Sequence, residues 1–259
     1  MEFKFNENSK KWKDVKSVED WIKSFQNSKK NEQGRSALSL AEFCKKDNIE
    51  EIFKSIIAPV IGCGNFSLDT AYPEKASRFD TFSKQRIHDL GIYGKTSDNK
   101  SIFVGVEAKV NETYNSTLSR IYRQACNNLS NGKSTDLPRR IEQLINNYFP
   151  KITSESNVRY QLLYAIAGTL CENKDFNILV FLTFKTEKFI EKSAIRNKKD
   201  LQDLLGYIDS KKICEGYYKC QFKNQSLFII EKTIEFISIL RRFCTTMSLF
   251  PMKLQFPFV

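Results

Sequence analysis

Asp89, Glu107 and Lys109 draw attention because each sits where a strand pattern calls for an apolar residue. Residues 86–110, RIHDLGIYGKTSDNKSIFVGVEAKV, read as two strands joined by a polar turn at Thr96–Lys100, where Asp, Asn and Ser satisfy their own backbone. Side chains alternate along a strand, so Phe103, Gly105, Glu107 and Lys109 share one face, and Val104, Val106 and Ala108 the other. A buried charge costs several kcal/mol unless it is paired or binds a metal. Hairpin pairing brings Asp89 beside Glu107, and two carboxylates held together repel until a divalent cation relieves them. Lys109 then stands ready to orient or deprotonate a water. The chemistry this suggests is metal-assisted hydrolysis of a phosphodiester. An E-x-K at a strand end also occurs as a solvated edge, with an ion pair worth under about 1 kcal/mol. The apolar run before Glu107 favours the site.

The elements that must position these groups follow from periodicity. Ser17 opens a short helix, with Asp20 as its capping-box partner. Apolar residues recur at helical spacing over Arg35–Ile57, and Pro59 is expected to end that helical stretch. Gly62-Cys63-Gly64 lacks the Gly-Lys-Ser/Thr that would make it a phosphate loop. Arg78–Phe82 leads into a first core strand or forms a loop beside the site. Lys84 and Arg86, just upstream of Asp89, are candidate phosphate contacts. After the hairpin come helices over Ser116–Leu129, Arg139–Phe149 and Asn157–Glu172. NILVFLTF (Asn177–Phe184) then reads as a strand buried on both faces. Arg159 and Gln161 interrupt the otherwise apolar third helix, which makes them candidates for supporting the site or meeting phosphate, or else helix-end polar groups facing solvent. Beyond Glu187 lie a basic run (Arg196–Lys199), an amphipathic stretch, a hairpin around Lys223–Gln225 and an apolar tail. The expected organisation is one domain over residues 1–259, with a core at about 35–190 and a C-terminal addition at 191–259 packed on it.

Composition narrows the class. Hydrophobic residues make up 41% and aromatics 13%, enough for a real core. Seven scattered cysteines and a single histidine argue for reduced thiols and against a zinc site, and point to a cytoplasmic protein. No segment is apolar enough to span a bilayer. The net charge of +11, from 41 Lys and Arg against 30 Asp and Glu, suits a polyanionic partner.

The Asp89…Glu107-x-Lys109 arrangement resembles the PD-(D/E)xK nuclease superfamily, the fold of many restriction endonucleases. His88 stands where that family usually has proline. GRSALSLAEF, GVEAKV and RYQLL together look like an uncharacterised bacterial group of PD-(D/E)xK-like proteins, over about residues 17–190. The resemblance implies an α/β (α+β) fold with a restriction-endonuclease-like αβββαβ core, a central mixed sheet flanked by helices, and additions at both ends. It implies a Mg²⁺- or Mn²⁺-dependent deoxyribonuclease, of endonuclease type, in which Asp89, Glu107 and the Ala108 carbonyl hold the metal and Lys109 positions the water. Gln161 and Tyr164 look like the helix-borne Gln and Tyr that touch the site in some members, spaced three apart rather than four. Glu42 matches a Glu that the preceding helix sometimes contributes, although a solvent-facing Glu on an amphipathic helix is the favoured reading. DNA is the expected partner, a homodimer suits two-strand cleavage, and Lys84, Arg86 and Arg159 would meet the backbone. A non-catalytic nucleic-acid- or protein-binding member of the same fold, or a subunit of a complex, is the alternative.

Overall fold

The computed structural model describes residues 1–7, 11–23, 35–62, 64–83, 85–187 and 189–235. In chain order the elements are β1 (Glu2–Glu7), β2 (Lys11–Asp14), α1 (Val18–Lys23), α2 (Ser36–Phe43), α3 (Ile49–Ile61), β3 (Phe66–Ser77), β4 (Arg86–Thr96), β5 (Ser101–Lys109), α4 (Leu118–Ser130), α5 (Leu137–Tyr148), α6 (Tyr160–Leu170), β6 (Phe176–Lys185), α7 (Glu191–Tyr207), β7 (Lys211–Cys214), β8 (Tyr217–Phe222) and β9 (Gln225–Glu235). The strands form one sheet in the order β2-β1-β3-β4-β5-β6-β9-β8-β7.

The sheet is mixed for a simple reason. Short turns join β4 to β5 and β8 to β9, so those pairs run antiparallel. Long helical crossovers carry the chain from β5 to β6 and from β6 towards β9, and these three strands run parallel. Strands in the middle of such a sheet are covered on both faces, which accounts for the nearly unbroken apolar runs of β5 and β6. Along β6, Ile178, Val180 and Leu182 pack with Leu40, Phe43, Phe53 and Ile57 of α2 and α3. Leu179 and Phe181 pack on the other face with Leu163 and Ile166 of α6 and Leu201 and Leu204 of α7. Each such side chain contributes about 1.5–3 kcal/mol by leaving water. The mixed sheet flanked by helices that the sequence leads one to expect is present.

Local chemistry sets several boundaries. Ser17 and Asp20 form the expected reciprocal cap: the Asp20 N–H donates to Ser17 Oγ at 3.1 Å and the Ser17 N–H to Asp20 Oδ2 at 3.2 Å. Pro59 does not end its helix, since α3 runs on to Ile61. The carbonyl that loses its donor there belongs to Ser55, an exposed residue. The first strand of the central hairpins is Phe66–Ser77, and Arg78–Phe82 is the loop beyond it. Periodicity hides this strand because it contains Pro73 and three charged residues. Pro73 lies past the last residue of β3 that pairs with β1, so its missing N–H breaks no ladder there.

Candidate functional site

The β4–β5 pairing ends at Leu90↔Val106, and at that point Asp89 takes over with its side chain. The Ala108 N–H donates to Asp89 Oδ2 at 2.8 Å. Strict alternation would put residues 86, 88, 90 and 92 on one face. Leu90 and Ile92 do point into the α2/α3 core, but Arg86 and His88 turn to the opposite face and meet α6. The face change falls at Asp89, opposite Glu74, whose φ of 51° marks the irregularity in the neighbouring strand. It brings Arg86 and His88 to the face that carries Glu107 and Lys109.

Glu107 is thereby enclosed, with only 1% of its surface exposed. Arg86 forms an ion pair with its Oε1, and Nδ1 of His88 lies 3.4 Å from the same oxygen. Gln161 on α6 donates from Nε2 to Oε2 at 3.1 Å. Burial, and then the neighbouring Arg86 charge, push His88 well below the usual imidazole range, so the ring beside Glu107 is neutral. Two glycines make room for this cluster. A Cβ on Gly105 would lie 2.9 Å from His88 Cε1, and one on Gly168 would lie 2.7 Å from Arg86 Cγ. The Arg86 guanidinium also covers the Tyr164 ring, 4.7 Å from its centre.

Lys109 lies on the face of Glu107, buried, with its Nζ 5.6 Å from the centre of the Tyr114 ring. Tyr114 in turn packs edge-on against Phe181. Past Lys109 the chain is gripped by Glu112, which accepts from the N–H groups of Val110 (2.9 Å) and Asn111 (3.2 Å) with one oxygen and from the N–H of Ser36 (2.9 Å) with the other. Burial raises the Glu112 carboxyl, but these donors outweigh it and hold the group below the usual range. Asn197 on α7 completes the anchor: its Nδ2 donates to Glu112 O at 2.8 Å, and its Oδ1 accepts from Tyr114 N at 3.2 Å. The exit of β5 is therefore tied to α2 and α7 together.

The structure thus links Asp89 to Ala108 and Gln161 to Glu107, with Lys109 on the face of Glu107 and its Nζ over Tyr114. Four other expectations need correcting or setting aside. Arg86 does not face open solvent for phosphate contact, because burial commits it to Glu107 and Tyr164. Arg159 is also spent inside the fold, pairing through Nε with Asp200 Oδ2 at 2.8 Å and donating from Nη1 to Asn115 O at 3.1 Å. It fastens the start of α6 to α7 and to the segment after β5. Lys84 lies outside the described residues. Glu42, expected on the solvent face of its helix, is instead 7% exposed. His88 and Glu112 are the residues that sequence reasoning missed. Gly105, an isolated glycine inside an apolar strand, was the available sign that something approaches closely there.

Among the described residues no helix is long and apolar enough to cross a membrane, and no group of three or more His, Cys, Asp or Glu side chains gathers to hold a metal ion. Compared with known proteins, residues 14–233 match the model of a domain family of unknown function (DUF6946). No curated protein and no solved structure matches the chain.

Proposed function

The chain belongs to the DUF6946 family, whose function is unknown, and from its site we propose a divalent-metal-dependent nuclease of PD-(D/E)xK type acting on DNA. One observation carries the reading. Asp89 and Glu107 sit at neighbouring positions of β4 and β5, each carboxylate held by a donor of the fold, with Lys109 on the face of Glu107. The element order supports it: α3, then β3, β4 and β5 in antiparallel succession, then α6, then β6 parallel to β5. So does the net charge of +11.

The donor set suits Mg²⁺ or Mn²⁺. Such ions use one or two carboxylates and complete their shell with water and substrate phosphate, so a cage of three acidic or imidazole ligands is not required. Glu107 Oε1 is a buried carboxylate oxygen that pairs with the Arg86 guanidinium and lies 3.4 Å from His88 Nδ1. Asp89, Glu107 and the Ala108 carbonyl would hold the ion. When bound, it supplies Lewis-acid polarisation of the phosphate and a lowered pKa for attacking water. Gln161 fixes the Glu107 carboxylate, the Ala108 N–H fixes that of Asp89, and Lys109 brings a positive charge towards the reacting phosphate. Arg86 neutralises Glu107 within the fold.

The test is plasmid cleavage alongside calorimetric titration of Mn²⁺, with wild type, Asp89→Asn and Glu107→Ala compared. Cleavage and metal binding lost together in both variants support the reading, and cleavage that survives in both removes this site from consideration. The Arg86–Glu107 ion pair favours a second reading, a member of the same fold that binds nucleic acid without hydrolysis. Metal-independent binding of DNA by wild type, unchanged in Glu107→Ala and without cleavage, would select it.

A further inference from the structure

A cleft of about 300 Å³ opens beside the candidate site, between the start of β4 and helices α5 and α6. Most of its lining is flat π surface and planar cation, from Phe79, Tyr160, Tyr164, Arg86 and Arg140, and Gln85, Ile87 and Leu137 complete it. The rings of Tyr160 and Tyr164 meet edge to face at 4.9 Å. The Arg140 guanidinium lies 5.5 Å from the Phe79 ring centre and 5.7 Å from that of Phe82. Asp80 clamps it through two contacts, Nε to Oδ2 at 2.5 Å and Nη2 to Oδ1 at 2.8 Å. Arg140 is therefore held in place with its charge already balanced, which makes it a platform for stacking more than a phosphate hook. Arg86 forms the wall shared with the candidate site, since the same guanidinium that covers Tyr164 pairs with Glu107.

We propose that this cleft takes an unpaired nucleobase next to the scissile phosphate, so that the substrate is single-stranded nucleic acid or a duplex with an extruded base. The proposal rests on the nuclease reading for what lies on the far side of Arg86. Its own support is the wall chemistry. Aromatic faces and planar guanidinium groups bind the π face of any base, and bases stacked on such side chains give strand binding with little sequence preference. A cleft at the small end of ligand cavities, which span about 300–1,000 Å³, admits one base and excludes a base pair. Taking a base from a duplex costs unstacking and unpairing, so a site of this shape prefers strands in which that cost is already absent.

The test measures binding without cleavage, by fluorescence anisotropy of the full chain in EDTA, using a labelled DNA single strand and the duplex of the same sequence. Wild type is expected to bind the single strand about tenfold more tightly, the scale of one stacked base. An aminopurine placed in the strand should be quenched on binding. Phe79→Ala removes one stacking face, and Leu137→Trp fills the cleft from the first turn of α5. Each should erase the preference and the quenching. Equal binding of strand and duplex by wild type overturns the proposal, as does a preference that survives in the folded variants. If Phe79→Ala fails to fold, Leu137→Trp decides alone. Strand preference without any Mn²⁺-dependent cleavage would retire the nuclease reading and keep the cleft. Duplex cleavage undiminished in Leu137→Trp, with strand and duplex bound equally by wild type, would keep the nuclease reading and retire the cleft.

Discussion

Replacing Arg86 with methionine separates the structural part of the site from its chemistry. The side chains of Arg86 and Glu107 are 7% and 1% exposed, so water screens neither partner. With the guanidinium gone, Glu107 keeps the Gln161 amide at 3.1 Å and a neutral His88 at 3.4 Å, and no positive charge in direct contact. Breaking a buried pair from one side typically costs about 3–5 kcal/mol, because the remaining charge is left uncompensated. For a chain of this size that corresponds to a fall in melting temperature of roughly 6–20 °C. The double variant Arg86→Met/Glu107→Gln removes both charges and should recover most of the loss. A divalent cation that binds Glu107 in the folded state adds stability by mass action. Mn²⁺ should therefore raise the melting temperature of Arg86→Met by more than that of wild type, where the guanidinium already neutralises the carboxylate. Thermal unfolding of the three proteins in EDTA and in Mn²⁺ measures all of this. An Arg86→Met protein as stable as wild type, or one no more responsive to Mn²⁺, would refute the view that Arg86 and a metal ion compete for one carboxylate.

Three further outcomes follow from the geometry. Gly105→Ala should cost about 1–3 kcal/mol in urea unfolding, since its Cβ would lie 2.9 Å from His88 Cε1 and 3.0 Å from Thr169 Oγ1, both on packed elements. Arg159→Ala should destabilise the fold by orphaning Asp200, yet leave affinity for a DNA strand in anisotropy measurements unchanged; a weakened affinity in a folded variant would restore Arg159 as a phosphate contact. Glu172 accepts from Lys75 Nζ, Ser77 Oγ and Tyr93 Oη, and although burial raises its carboxyl, these donors hold it below the usual range. A carboxyl depressed in the folded state contributes stability above its unfolded pKa and loses that contribution as pH falls through the folded value. Glu172→Gln should therefore lower stability at neutral pH and flatten the acid limb of the stability–pH curve, and an unchanged limb in urea titrations would remove Glu172 from the acid response.

How far the site was legible depended on the range of each interaction. The shared face of Phe103, Gly105, Glu107 and Lys109 follows from period two within a single strand, and the fold keeps it. Gln161 could be singled out because it interrupts an apolar helix, and its amide does reach Glu107. Arg86 and His88 were hidden for the opposite reason. Their arrival beside Glu107 requires β4 to change face at Asp89, and periodicity assumes no such change. Arg159 was misread because its partner, Asp200, lies on a helix after the next strand, so that a buried pair looks in sequence like a free cation. Glu112 reaches back to Ser36 across 76 residues and leaves no local sign at all. Glu42 was misjudged because α2 is only eight residues long and buries six of them, more than one amphipathic stripe would cover.

The same facts explain why the charged cluster sits where it does. A buried carboxylate costs least where the surrounding framework cannot relax away from its donors, and β5 is such a place, hydrogen-bonded to β4 on one side and β6 on the other. Its exit is clamped by Glu112 and Asn197 to helices on both faces of the sheet. The departure from regular pairing beside Glu107 centres on Asp89, opposite the positive-φ Glu74, where the Asp89 side chain accepts from the Ala108 N–H. One irregular residue therefore turns two charged or ionisable neighbours, Arg86 and His88, onto Glu107 without loosening the strand that carries Glu107 and Lys109. If the arrangement were only a structural ion pair, its cheapest replacement would be apolar side chains of matching volume, which often stabilise a fold. Arg86→Met/Glu107→Leu distinguishes the two cases. A protein that gains stability and keeps every nucleic-acid activity would show that the charges serve the fold alone, whereas one that gains stability and loses activity would show that the buried charges are kept for chemistry at the cost of stability.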